Sequence, residues 1–146
     1  MTDNTPAYRL HKLVFALDRA ADTLLRAQVG ISYKRALFLL ILQDCGTVTQ
    51  HELAVALGYS DPAVSAMLLQ LAKDGYVTTT SSPEHGRKRF VTITPGGSEI
   101  VVKGRQLLDG RFDRLMVAAG VDAQHYSELT ERVYRALVTK MKEEQS

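Results

Sequence analysis

A chain of 146 residues and 16.2 kDa has the length of one ordinary domain, which argues against a second full catalytic domain. With 45% hydrophobic and 23% charged residues, ten glycines and four prolines, its composition is that of a globular protein and excludes the disordered, collagen-like and low-complexity classes. The net charge of +2 is too small to announce a nucleic-acid partner by itself. The longest uninterrupted apolar run, Ala36 to Leu42, falls far short of the roughly 20 residues that span a bilayer. Met1 to Pro6 is polar and carries Asp3 in place of a basic stretch leading into an apolar core, so no secretory leader is expected and the expected location is cytoplasmic. A single cysteine, Cys45, forms no internal disulfide, in keeping with a reducing compartment.

From Tyr8 to Gln28 the residues Leu10, Leu13, Val14, Leu17, Ala21, Leu24 and Leu25 recur at intervals of three and four, the signature of an amphipathic helix. Thr5 and Pro6 suit its start and Gly30 its stop. A second helix runs from about Ser32 to Asp44, apolar nearly all round between Ala36 and Leu42, and is expected at the centre of the core. Thr49-Gln50-His51-Glu52 matches a capping box, with Val48 and Leu53 as the hydrophobic staple, and starts a short third helix from Gln50 to Leu57 closed by Gly58. Ser60 caps a fourth helix almost at once, with Pro62 in its first turn. Val64, Met67, Leu68 and Leu71 mark the inner face of this helix, while Asp61, Ala63, Ser65, Ala66 and Gln70 are left for its other faces.

Lys73-Asp74-Gly75 ends the fourth helix, and Tyr76–Thr80 and Arg89–Thr94 are rich in β-branched and aromatic residues. They read as two strands of a β-hairpin, joined by the turn-forming Ser81-Ser82-Pro83-Glu84-His85-Gly86. The one compact positive cluster, Arg87-Lys88-Arg89, thereby falls at the hairpin tip. Thr94-Pro95-Gly96-Gly97 opens a fifth helix to about Ala119, and Asp122 caps a sixth that reaches nearly to the C-terminus. The fold class expected is mainly α with a small β-hairpin (α+β). Residues 32–95 are expected to form a winged helix-turn-helix lobe, and residues 1–31 and 96–146 a helical region whose amphipathic first and last helices suit dimerisation.

Two short helices joined by a tight turn and followed by a hairpin with a basic tip are most often used to bind DNA: the second helix enters the major groove and the wing reaches neighbouring phosphates or the minor groove. A winged helix that binds protein rather than DNA, acting as an adaptor, is the alternative. On this reading the DNA-facing residues are Thr49, Gln50, Ser60, Asp61, Ala63, Ser65, Gln70, Arg87, Lys88 and Arg89. The scattered His11, His51, His85 and His125 show no ligand spacing, so no metal is expected. Nor does any residue pattern set a nucleophile against a base or build a phosphate loop, so an enzyme and a cofactor are not expected. Cys45 reads as a partly buried, inert thiol.

The order of elements, the stretch Leu53-Ala54-Val55-Ala56-Leu57-Gly58-Tyr59-Ser60 through Leu71, Asp74-Gly75-Tyr76-Val77, and Ile93-Thr94-Pro95-Gly96-Gly97 together resemble the MarR family of bacterial transcription regulators. That resemblance implies a homodimer with interlocked terminal helices, two winged lobes on an inverted-repeat operator, and a repressor released by a small aromatic effector. Two features depart from the family pattern. The fourth helix has Ala66 and Leu69 ahead of Gln70 where related chains often carry a cation, and His85 stands two residues before Arg87 where an acidic residue is common. Arginine readout of guanine is thus not available to this helix, whereas Gln70 suits adenine. Phe15, Tyr33, Phe38 and Phe112 are candidates to line an effector pocket, although aromatic residues at helical spacing more commonly belong to the core.

Overall fold

The structure, a computed structural model, describes residues 5–81, 84, 86 and 88–146. Its elements follow the expected order with one short strand added ahead of α3: α1 (Pro6–Gln28), α2 (Tyr33–Cys45), β1 (Val48–Thr49), α3 (Gln50–Leu57), α4 (Asp61–Lys73), β2 (Val77–Ser81), β3 (Arg89–Ile93), α5 (Pro95–Ala119) and α6 (Ala123–Glu144). Each boundary is chemical. The hydroxyls of Thr5, Ser32, Thr49 and Ser60 and the carboxylate of Asp122 accept backbone N–H groups of the first turns of α1, α2, α3, α4 and α6, satisfying donors that have no partner inside a helix. Asp22 fixes the corner between α1 and α2. Its carboxylate accepts the Tyr33 backbone N–H at 2.9 Å and the Arg26 Nε at 2.8 Å, and these bonds hold its pKa below the ordinary carboxylate range.

The sheet has three strands, not the two of a simple hairpin. β2 and β3 pair antiparallel from Val77↔Ile93 to Ser81↔Arg89. On the other edge of β3 lies β1, in the register Val48↔Val91 and Thr49↔Phe90, giving the order β1-β3-β2. Two residues are too few to show a period of two, and Val48 and Thr49 already carry a staple-and-cap signal in the sequence. The extra strand matters because it ties the start of α3 to the base of the wing.

The chain divides into two compact units, Met1–Leu107 and Leu108–Ser146. In the first, α2 packs on α1 and β3, and α4 packs on α3 and β2. Leu25, Phe38, Leu39, Leu42, Leu53, Val64, Leu68, Leu71, Val77 and Val91 make its core, and each large apolar side chain fully buried there contributes roughly 1.5–3 kcal/mol. In the second, Phe112 and Tyr126 face each other with ring centroids 6.4 Å apart. Two apolar stripes remain exposed: Leu10, Leu13, Val14 and Phe15 on α1, and Leu129, Val133, Tyr134, Leu137 and Met141 on α6, which has no buried residue. Cys45 is exposed, correcting the partly buried position expected for it; it lies on the last turn of α2, just past the buried Leu42.

α5 starts from a tightly built corner. Thr94 Oγ1 donates to the Gly75 carbonyl at 2.6 Å and accepts the Gly97 N–H at 3.1 Å. A methyl group at Gly97 would overlap the Tyr76 carbonyl oxygen and stand 2.7 Å from Ile93 Cγ1. Gly97→Ala is therefore expected to destabilise the fold by about 1–3 kcal/mol in urea unfolding. Gly104→Ala, whose methyl meets only Leu25 Cδ2 at 3.6 Å, should hold or gain stability through better helix propensity. Equal stability of Gly97→Ala and the unchanged chain would contradict this packing.

Candidate nucleic-acid interface

Short-range chemistry builds this site from the start of α3. Thr49 Oγ1 accepts the Glu52 backbone N–H at 3.1 Å, and Glu52 Oε2 accepts the Thr49 N–H at 2.8 Å, completing the capping box. The Thr49 backbone N–H is the largest reason the Glu52 pKa is lowered, followed by the Thr49 hydroxyl; desolvation opposes them, and the charges of Lys88 and His51 add to the lowering. The carboxylate is thus engaged inside the site instead of projecting as a bare negative charge.

Gly58, at φ +68°, adopts the left-handed conformation that glycine takes without strain, and turns the chain from α3 towards α4. Ser60 then caps α4, accepting the Ala63 N–H at 3.3 Å. The result is two helix N-termini side by side, linked by His51 Nδ1 and Asp61 Oδ1 at 3.2 Å. On the third side the start of β3 brings Lys88 and Arg89. Thr49, Gln50, His51, Glu52, Asp61, Lys88 and Arg89 line one open cleft of about 540 Å³. Helix N-termini present backbone N–H groups and the positive end of the helix dipole, which favour phosphate; two cations at the rim add to that preference.

Of the residues expected to face DNA, the structure gathers Thr49, Gln50, Asp61, Lys88 and Arg89 in this cleft. Ser60, Ala63, Ser65 and Gln70 are exposed on or beside α4 but do not line it, and Arg87 lies outside the described residues, as does His85. The Thr49 and Ser60 hydroxyls are already used as caps. Leu69, 71% exposed, adds an apolar contact surface to the outer face of α4. Three cleft or turn residues were not anticipated. His51 and Glu52 enter through helix geometry, and Lys34 places its Nζ 5.0 Å from the centre of the Tyr59 ring, beside the helix-turn-helix turn.

The four aromatic candidates for an effector pocket sit in different settings. Phe38 is sealed in the core, Phe15 is 68% exposed, and Phe112 faces Tyr126 in the C-terminal unit. Tyr33 is half-buried; burial first, and the neighbouring Asp18 second, push its phenol pKa up. Among the described residues no three His, Cys, Asp or Glu side chains group so as to hold a metal ion, and no helix is long and apolar enough to cross a membrane.

Residues 29–88 match the model of the MarR family. No curated protein matches the chain. Among solved structures, the fold is similar to apo MarR from E. coli at TM-score 0.75 and 22% identity, covering 92% of this chain and 97% of that one. It is similar to the MepR–DNA complex of S. aureus at TM-score 0.74 and 20% identity, covering 93% and 98%. The transcriptional regulator BldR from Sulfolobus solfataricus is similar at TM-score 0.75 and 18% identity, over 90% and 91%.

The capping box gives the site a pH signature. Because Glu52 titrates lower when folded than when unfolded, it contributes stability above its unfolded pKa and loses that contribution as pH falls through its folded value. Glu52→Gln should therefore be less stable than the unchanged chain near neutral pH, with the gap closing on acidification in urea unfolding series. A gap that does not change with pH would remove the ionised carboxylate from the account.

Proposed function

Starting from residues 29–88 as a MarR-family winged helix, we propose that this chain is a transcription regulator that binds a pseudo-palindromic DNA operator as a homodimer and acts as a repressor. The observation that carries the reading is the cleft in which the N-termini of α3 and α4 meet Lys88 and Arg89. A helix about 10–12 Å across fits a B-DNA major groove about 12 Å wide. The exposed side of α4, with Ser65, Ala66, Leu69 and Gln70, then meets base edges, while Lys88 and Arg89 meet phosphates on the groove wall.

The apolar stripes of α1 and α6 support the dimer: a second copy covers surface that the chain leaves open to water. In a two-fold assembly the two α4 helices would enter successive major grooves about 34 Å apart. Bivalent binding makes such a regulator sensitive to the spacing of its lobes, and a small aromatic effector would release the operator by changing that spacing.

Fluorescence anisotropy against genomic duplexes at several salt concentrations tests the DNA reading. Saturable binding is expected, with log K falling linearly against log salt, and Lys88→Ala and Arg89→Ala should each reduce the slope by about 1. An adaptor that binds only protein would give neither saturation nor slope. Sedimentation tests the dimer: the unchanged chain should sediment as a dimer, and Val133→Glu with Leu137→Glu should yield monomers that bind the same duplex more weakly. A monomeric unchanged chain would contradict the assembly.

A further inference from the structure

Asp61 is the anomaly of the proposed DNA surface. It is the first residue of α4, its side chain is 61% exposed, and no other ionisable residue follows it in the helix until Lys73. Towards phosphates a carboxylate is repulsive. The first turn of a recognition helix, however, meets base edges, and there a carboxylate has a specific partner. Guanine and thymine offer only acceptors to it in the major groove, and adenine sets its N6 amine beside the N7 acceptor, which repels a second acceptor. Cytosine presents its N4 amine with no acceptor on the same base edge, and Asp is a known type of partner for it.

The setting of Asp61 fits that task. His51 Nδ1 stands 3.2 Å from Asp61 Oδ1, a distance at which the tautomer protonated on Nδ1 donates to the carboxylate. The bond engages Oδ1 and leaves Oδ2 as the acceptor for a base. It also restricts the side-chain rotamer before DNA arrives, and pre-ordering of this kind is what converts a surface contact into discrimination. Lys88 and Arg89 on the same cleft offset the negative charge brought to the groove. Resting on the DNA-binding reading above, we propose that Asp61 is a specificity-determining residue that accepts the N4 amine of a cytosine in each half-site, with His51 as its positioning residue.

Selection from a pool of randomised duplexes, followed by anisotropy on the selected duplex and its single-base variants, tests the assignment. The unchanged chain should select cytosine at one position per half-site. Asp61→Ala should relax that position alone, reducing discrimination there about tenfold, with the other positions unchanged. Asp61→Asn, whose amide both donates and accepts, should move the preference towards adenine. His51→Ala should weaken the cytosine preference without changing its identity. Circular dichroism and melting midpoints establish that each variant is folded. If Asp61→Ala keeps the full cytosine preference, or strengthens binding equally to every sequence, Asp61 does not read a base and the proposal is overturned. Absence of saturable binding by the unchanged chain to any duplex would instead remove the DNA-binding reading, and this proposal with it.

Discussion

Burial of Val64, Leu68 and Leu71 on one side of α4 is the constraint on which the rest of the site depends. These residues recur at intervals of four and three, so they share a face, and their removal from water sets the rotation of the helix about its axis. Ser65, Ala66, Leu69 and Gln70 are then turned outwards by default. Rotating α4 to present a different surface would expose three fully packed aliphatic side chains, each worth roughly 1.5–3 kcal/mol. The hydrophobic core therefore acts as the aiming device for a surface that contributes almost nothing to the core itself.

The same logic places the other two sides of the cleft. Leu53 and Ala54 are buried in α3, which orients that helix against α4, and Val91 is buried in β3, which fixes the wing base. β1 connects them: Thr49 pairs with Phe90 in the sheet and caps α3 in the same residue. One threonine thus transmits the position of the strand carrying Arg89 to the helix carrying His51. A cation reaching phosphates from the wing and a helix N-terminus reaching the groove can act together only if their separation is held, and this strand-to-cap junction holds it.

Much of this architecture is legible in the sequence because its signals are local. The capping box at Thr49 and Glu52, the Ser60 cap and the apolar spacing of α4 each lie within about two helical turns, and all recur in the structure. Contacts between distant residues were not legible. The His51–Asp61 pair is separated by ten residues and a turn, and no spacing rule announces it until the two helices are known to start side by side. β1 is hidden because pairing partners 43 and 41 residues away (Val48↔Val91, Thr49↔Phe90) define it, not a pattern of its own. For Cys45, an apolar helix suggested burial, but position on the last turn exposed it. The aromatic candidates show a related limit: side-chain type identifies Phe15 and Phe38 equally, while the fold leaves one in solvent and seals the other.

A single face, formed by the starts of α3 and α4 and the start of β3, is proposed to meet DNA. Backbone amide shifts followed by NMR during titration with a duplex measure this directly. The largest changes should fall on Gln50 to Leu53, Asp61 to Val64 and Lys88 to Phe90, with little change in the core of α2 around Leu39. Changes confined to α2, or to the exposed stripes of α1 and α6, with the amides of the cleft unmoved, would contradict it.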